Sequence, residues 1–112
     1  MKLTQQAKLF EEFVKKQSDT MLKKGDDYAG EDRLFNFKTA AAIVKQTPQQ
    51  QCLSLIATKV ARLGTLFDGR TLPNNESIND SIEDLANYSF LLYCILNEQP
   101  ETQSTNANTK SN

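Results

Sequence analysis

Apolar residues recur at spacings of three and four along most of this chain, and no stretch of useful length alternates apolar with polar. That period is helical. Ala7, Phe10, Val14, Gln17 and Met21, with Phe13 alongside, predict one helix over residues 4 to about 24, with Thr4 as a cap and Gly25 as its C-terminal stop. Leu34, Phe37, Ala41 and Val44 predict a second, from about Arg33 to Gln46, in which Ala40, Ala41 and Ala42 allow close packing. Thr47-Pro48-Gln49-Gln50 is a helix start: Thr as N-cap, Pro at the first position, Gln three residues on as the reciprocal partner. The third helix should run from Pro48 to about Phe67 with Leu53, Ile56, Val60, Leu63 and Phe67 as its core stripe.

Residues 68–75 are rich in turn formers and suit an antiparallel return. Ser77 then opens a fourth helix as N-cap, with Asp80 at the third helical position and an end near Leu96, ahead of Pro100. Ile78, Ile82, Leu85, Ser89, Leu92 and Leu96 make one stripe of it. From Leu85 to Leu96 it is apolar nearly all round, which predicts burial on more than one side. The expected architecture is all-α: a four-helix bundle-like domain over residues 1–97, with a disordered polar tail over 98–112.

Composition narrows the functional classes. With 112 residues and 38% hydrophobic content the core is lean, and a helical chain of this size often completes its core by oligomerising, at least to a dimer. A net charge of −1 and the lack of any basic run beyond Lys23-Lys24 argue against broad nucleic-acid binding. No apolar window reaches the length of a membrane span and no signal peptide opens the chain, so a cytoplasmic protein is expected. Cys52 and Cys94 sit in apolar helical patterns and read as reduced core residues. The absence of histidine removes Ser-His and Cys-His nucleophiles and most zinc sites.

The chemistry left is carboxylate, amide, aromatic and cationic. At roughly 100° per residue, Asp80, Asp84 and Asn87 fall within about 60° of one another, and Glu76 joins them if the helix starts early. Carboxylates near a helix N-terminus are ordinary solvated residues, favoured there by the helix dipole. Here, however, the same face continues into Leu91, Cys94 and Ile95, so the acids should look along a cleft that asks for a cation. Lys59 and Arg62 lie one turn apart on the flank of the third helix. They either snorkel to water or face the acids or a ligand's phosphates. Asp26-Asp27-Tyr28, a turn between glycines, is either solvated or a loop over a small-molecule site.

Lys24-x-Asp26-Asp27-Tyr28, Lys59-x-x-Arg62-Leu63 and Glu76-Ser77-Ile78-x-Asp80-x-x-x-Asp84-Leu85-Ala86-Asn87-Tyr88 together resemble a phage and bacterial family, the nucleotide-modification-associated domain type 1, over roughly residues 20 to 96. The layout is also distantly similar to the all-α, MazG-like and dimeric dUTPase-like NTP pyrophosphohydrolases. The resemblance implies a small helical protein of nucleotide metabolism. In the second group four carboxylates hold Mg²⁺ on a nucleoside triphosphate. Asp80 and Asp84 match the second half of that pattern, whereas the neighbouring helix offers Lys59 and Arg62 in place of its Glu-x-x-Glu.

Three readings follow. In the enzymatic one, Asp80 and Asp84 are catalytic, Mg²⁺ is held by Glu76, Asp80 and Asp84, and Lys59 and Arg62 offset phosphate charge. Tyr28, Asp26, Asp27 and Asn87 then contact the rest of a nucleotide. In the second, the same pocket sequesters a nucleotide or nucleotide-derived signal without turnover. In the third, Asp80 and Asp84 pair with Lys59 and Arg62 to fix two helices within or between subunits.

Overall fold

A computed structural model describes residues 1–24, 32–68 and 78–100, and the described residues form helices and no strand. They are α1 (Leu3–Asp19), continued by a π-helical turn at Thr20–Lys24, α2 (Phe35–Ile43), α3 (Pro48–Phe67) and α4 (Ile78–Asn97). The expected four-helix, all-α architecture is what the described residues adopt. The Gly25 stop, the Asp26-Asp27-Tyr28 turn, Glu76, the Ser77 cap and most of the polar tail lie outside the described residues.

The start of α3 follows from its sequence. The Gln50 N–H donates to Thr47 Oγ1 at 3.1 Å and the Thr47 N–H to Gln50 Oε1 at 2.8 Å, so two groups at the N-terminus satisfy each other, with Pro48 at a position that needs no donor. α1 begins differently from the expectation: Lys2, not Thr4, is its N-cap, and no side chain caps it. Its α-helical hydrogen bonding ends at Asp19, and the wider π turn takes over to Lys24.

α2 is shorter than its periodicity suggests, and both ends have a local cause. At the start, Asp32 Oδ1 accepts the Leu34 N–H at 2.9 Å while its carbonyl accepts the Phe35 N–H at 3.1 Å, a turn that competes with helix. At the end, the Lys45 N–H donates to the Ala42 carbonyl and the Gln46 N–H to the Ala41 carbonyl, with Lys45 at a φ of 58°. This is a Schellman motif whose left-handed position holds lysine instead of glycine.

α3 and α4 are the central pair. The Cys52 thiol donates to the Tyr88 carbonyl at 3.3 Å, and Lys59 pairs with Asp84 at 2.9 Å. Residue numbers rise along one helix as they fall along the other, so the two run antiparallel. These contacts correct the expected core stripe of α3. The line facing α4 is Cys52, Leu55, Lys59, Arg62 and Leu66, with Cys52 and Leu66 buried, whereas in the expected stripe Leu53, Val60 and Phe67 are exposed and Ile56 and Leu63 half-buried. On α4 the buried residues are Ser81 and Asn87; of the stripe Ile78, Ile82, Leu85, Ser89, Leu92 and Leu96, Ile82, Ser89 and Leu96 are exposed while Ile78, Leu85 and Leu92 are half-buried. Each helix carries two apolar lines, and period alone does not say which one meets a neighbour. α1 follows the same pattern: Phe10 and Val14 are exposed, while Phe13, Gln17, Thr20 and Met21 are partly covered. The hydrophobic core of the described residues is accordingly small: Leu34, Ala41, Cys52 and Leu66.

Candidate functional site

Beside the α3–α4 contact line, a cleft of about 950 Å³ opens between α4 and the segments that precede α2. The π-helical turn forms one wall with Thr20, Met21 and Leu22. Widening the turn there shifts the side-chain register relative to α1, a device found often at functional positions. Arg33 ties this wall to the second by donating from Nη2 to the Met21 carbonyl at 2.8 Å. The second wall is Asp32, Arg33, Leu34, Asn36 and Phe37, of which Leu34 is buried. α4 makes the third with Asp84, Asn87, Tyr88 and Leu91, extended by Phe90, Tyr93 and Cys94.

Asn87 is the distinctive group. Its residue surface is only 6% exposed, and its Oδ1 has no hydrogen-bond partner among the described residues. A buried amide oxygen without a donor loses its hydration with nothing in return and calls for a partner such as a water or a ligand; Ser81 Oγ, outside the lining, is in the same state among the described residues. It lies in a cleft with aromatic rings from Phe37, Tyr88, Phe90 and Tyr93. Flat rings with one buried amide make a surface suited to a planar, hydrogen-bonding ligand.

The charges at the cleft are largely matched. Lys38 Nζ bridges Asp32 Oδ2 and Glu98 Oε2, both at 2.9 Å, and so joins the start of α2 to the end of α4 across one end of the cleft. The Lys38 ammonium and the Leu34 N–H hold the Asp32 carboxyl below its usual range, while Glu98 and then Asp32 raise Lys38 above its own. Burial pushes the thiols of Cys52 and Cys94 up, so both stay protonated at neutral pH. The charged residues of the lining are Asp32, Asp84, Glu98 and Arg33, with Lys38 and Lys59 engaging the acids from outside it.

The expected site residues separate into groups. Asp84 and Asn87 do line the cleft, as the helical phase of the fourth helix implied. Asp80 is exposed in the first turn of α4 and is not part of the lining. Lys59 and Arg62 sit in the α3–α4 contact line outside the lining, with Lys59 on Asp84. Asp26, Asp27, Tyr28 and Glu76 lie outside the described residues. As for Mg²⁺, the described carboxylates fall short of a cage. Asp84 is engaged by an ammonium, and no group of three or more His, Cys, Asp or Glu among the described residues converges on a common point.

Sequence reasoning missed Asp32, Lys38 and Glu98. Their signal was weak: two acids and a lysine spread over 66 residues meet only because α4 ends beside the start of α2. No helix of the described residues is long and apolar enough to cross a membrane. Comparison of the chain with family models, curated proteins and solved structures finds no match.

Proposed function

We propose that this chain binds a nucleotide or nucleotide-derived small molecule in the cleft beside α4, gripping it by its base. One observation carries the reading: Asn87, whose buried Oδ1 has no partner among the described residues, shares the cleft lining with Phe37, Tyr88, Phe90 and Tyr93. An amide can read the edge of a nucleobase while the rings cover its faces. The volume of about 950 Å³ is of the order such ligands need. The resemblance of the Glu76–Tyr88 block to the nucleotide-modification-associated domain type 1 family points the same way. The matched charges favour the base and sugar over the phosphates as the part held here, because the lining offers no excess of cations.

The test is calorimetry of the full chain against nucleosides and mono-, di-, tri- and cyclic nucleotides, each with and without Mg²⁺. Heat from one base series, lost in Asn87→Leu, is the expected result. No heat across the panel overturns the reading. Turnover is the second reading, and the position of Asp84 in the lining favours it. Products released from a triphosphate in the Mg²⁺ arm would shift the assignment from binding to hydrolysis. Asp80, Asp84 and Glu76 would then be the groups to replace.

A further inference from the structure

The cleft lies to one side of the α3–α4 pair; the other side is apolar. On α3, Leu53, Ile56, Val60, Leu63 and Phe67 repeat at three, four, three and four. On α4, Ile82, Leu85, Leu92 and Leu96 keep the same rhythm, with Ser89 at the missing position. This is the spacing of helices that pack lengthwise against other helices. At roughly 100° per residue, each line sits about a quarter turn from the contact line of its own helix. Because the helices run antiparallel, the two quarter turns bring both lines to the same side. Asn87, Phe90 and Cys94 of the cleft lie on the opposite side of α4. Much of the shared face is open: Val60 is 53% exposed and Leu96 63%, with Leu53, Phe67 and Ile82 also exposed.

We propose that a second copy of this chain covers this face, so that α3 and α4 of two protomers form an isologous four-helix bundle. The remainder of the chain cannot do it. Residues 25–31, 69–77 and 101–112 contain only Tyr28 and Leu72 as large apolar side chains. The size is right for a copy. Helices of 20 residues are about 30 Å long, and two of them side by side span about 20 Å. The face is therefore on the order of 600 Å² a side, about 1,200 Å² over both copies, just above the total of about 1,000 Å² that a specific interface needs. It stands at the upper end of the apolar patch, about 300–600 Å², that a monomer leaves open. Its lines carry no charge, so a surface identical to itself meets no like-charge penalty, as two-fold symmetry requires. Gly64 adds an independent sign. It flanks the α3 line mid-helix, where glycine is unfavourable, yet a Cβ there would meet nothing within 4 Å. Close approach of a partner's helix is a reason for glycine that the single chain does not provide.

Sedimentation equilibrium of the full chain at tens of micromolar tests this. The expected mass is twice that of one chain or a multiple of it. Val60→Glu, on an exposed residue, should give a single-chain mass with helical circular dichroism retained. Thr58→Glu, on the cleft side of α3, should leave the assembly intact. If Val60→Glu fails to fold, Leu96→Glu on the other helix decides by the same readout. A wild-type chain of monomer mass overturns the proposal. So does an assembly that survives the glutamate. Neither result bears on ligand binding in the cleft, so the two readings fail separately.

Discussion

Lys59 Nζ lies 2.9 Å from Asp84 Oδ2, joining the middle of α3 to the first half of α4 where Asp84 also borders the cleft. The partners differ in exposure, 18% for the lysine side chain and 44% for the aspartate. Water screens the aspartate, so the pair is worth no more than about 1 kcal/mol. Asp84→Asn should cost more than Lys59→Met, because it strips the carboxylate from the less exposed partner, whereas methionine keeps the apolar stem. Denaturant midpoints of the two single variants and the double variant measure the coupling. A coupling of zero would remove the pair as a tie between the helices. If Asp84 touches the ligand, Asp84→Asn weakens binding while Lys59→Met changes stability alone.

Asn87 makes an opposite prediction for stability and for binding. Its Oδ1 is buried and without a donor among the described residues, so the free protein gains nothing from keeping it dry. Replacing such a group by an apolar side chain of similar size removes a desolvation penalty of about 1 kcal/mol or more. Asn87→Leu should therefore raise the midpoint of thermal unfolding and abolish the heat of ligand binding. Residues held for function often show this trade. A lowered midpoint would mean that Asn87 serves the fold.

The ends of α2 and α3 show how much of the fold was legible. Thr47 and Gln50 were readable because a capping box is local chemistry, complete within four residues. Thr47→Ala should cost about 1 kcal/mol. The end of α2 was not readable, because Lys45 holds a left-handed conformation that sequence rules assign to glycine. Lys45→Gly should stabilise by about 1 kcal/mol, measured by chemical denaturation. Helix existence came from period and was correct. Which apolar line became the inner one did not come from period. Leu53, Val60 and Phe67 are more hydrophobic than Lys59 and Arg62, and the expectation gave them the core. In the structure the other line meets α4, with Lys59 on Asp84, and period does not distinguish the two lines. Asp84 and Asn87 border the cleft together because they share a helical phase, which is local, whereas Asp80 in the same phase lies outside the lining.

The Asp32–Lys38–Glu98 bridge predicts a pH dependence with a definite sign. Asp32 is held below its ordinary value by Lys38 first and then by the Leu34 N–H. A depressed carboxylate contributes stability that is present above the unfolded value, near 4, and is lost as pH falls through the folded one. Lys38 is raised, by Glu98 and then Asp32, so its contribution is full below the unfolded value and is lost only as pH climbs through the folded one. Between those limits the difference in stability between wild type and Lys38→Met should be flat. It should shrink in acid as Asp32 protonates and again in strong base. A difference that varies across the neutral range would show that another group controls this end of the cleft.

Cys94 offers a direct readout of the cleft. It belongs to the lining and is partly exposed, whereas Cys52 is fully buried against the Tyr88 carbonyl. Burial raises both thiols, so neither should alkylate quickly at neutral pH, since the thiolate is the reactive form. Raising the pH should increase labelling of Cys94 before Cys52, because reagent can reach it. A ligand seated beside Asn87 blocks that access. Mass spectrometry after timed iodoacetamide treatment should show Cys94 protected by the nucleotide that gives heat, and Cys52 unlabelled with or without it. Protection requires the ligand to sit in the cleft, so heat of binding with Cys94 still reacting at its free rate would move the ligand to another surface.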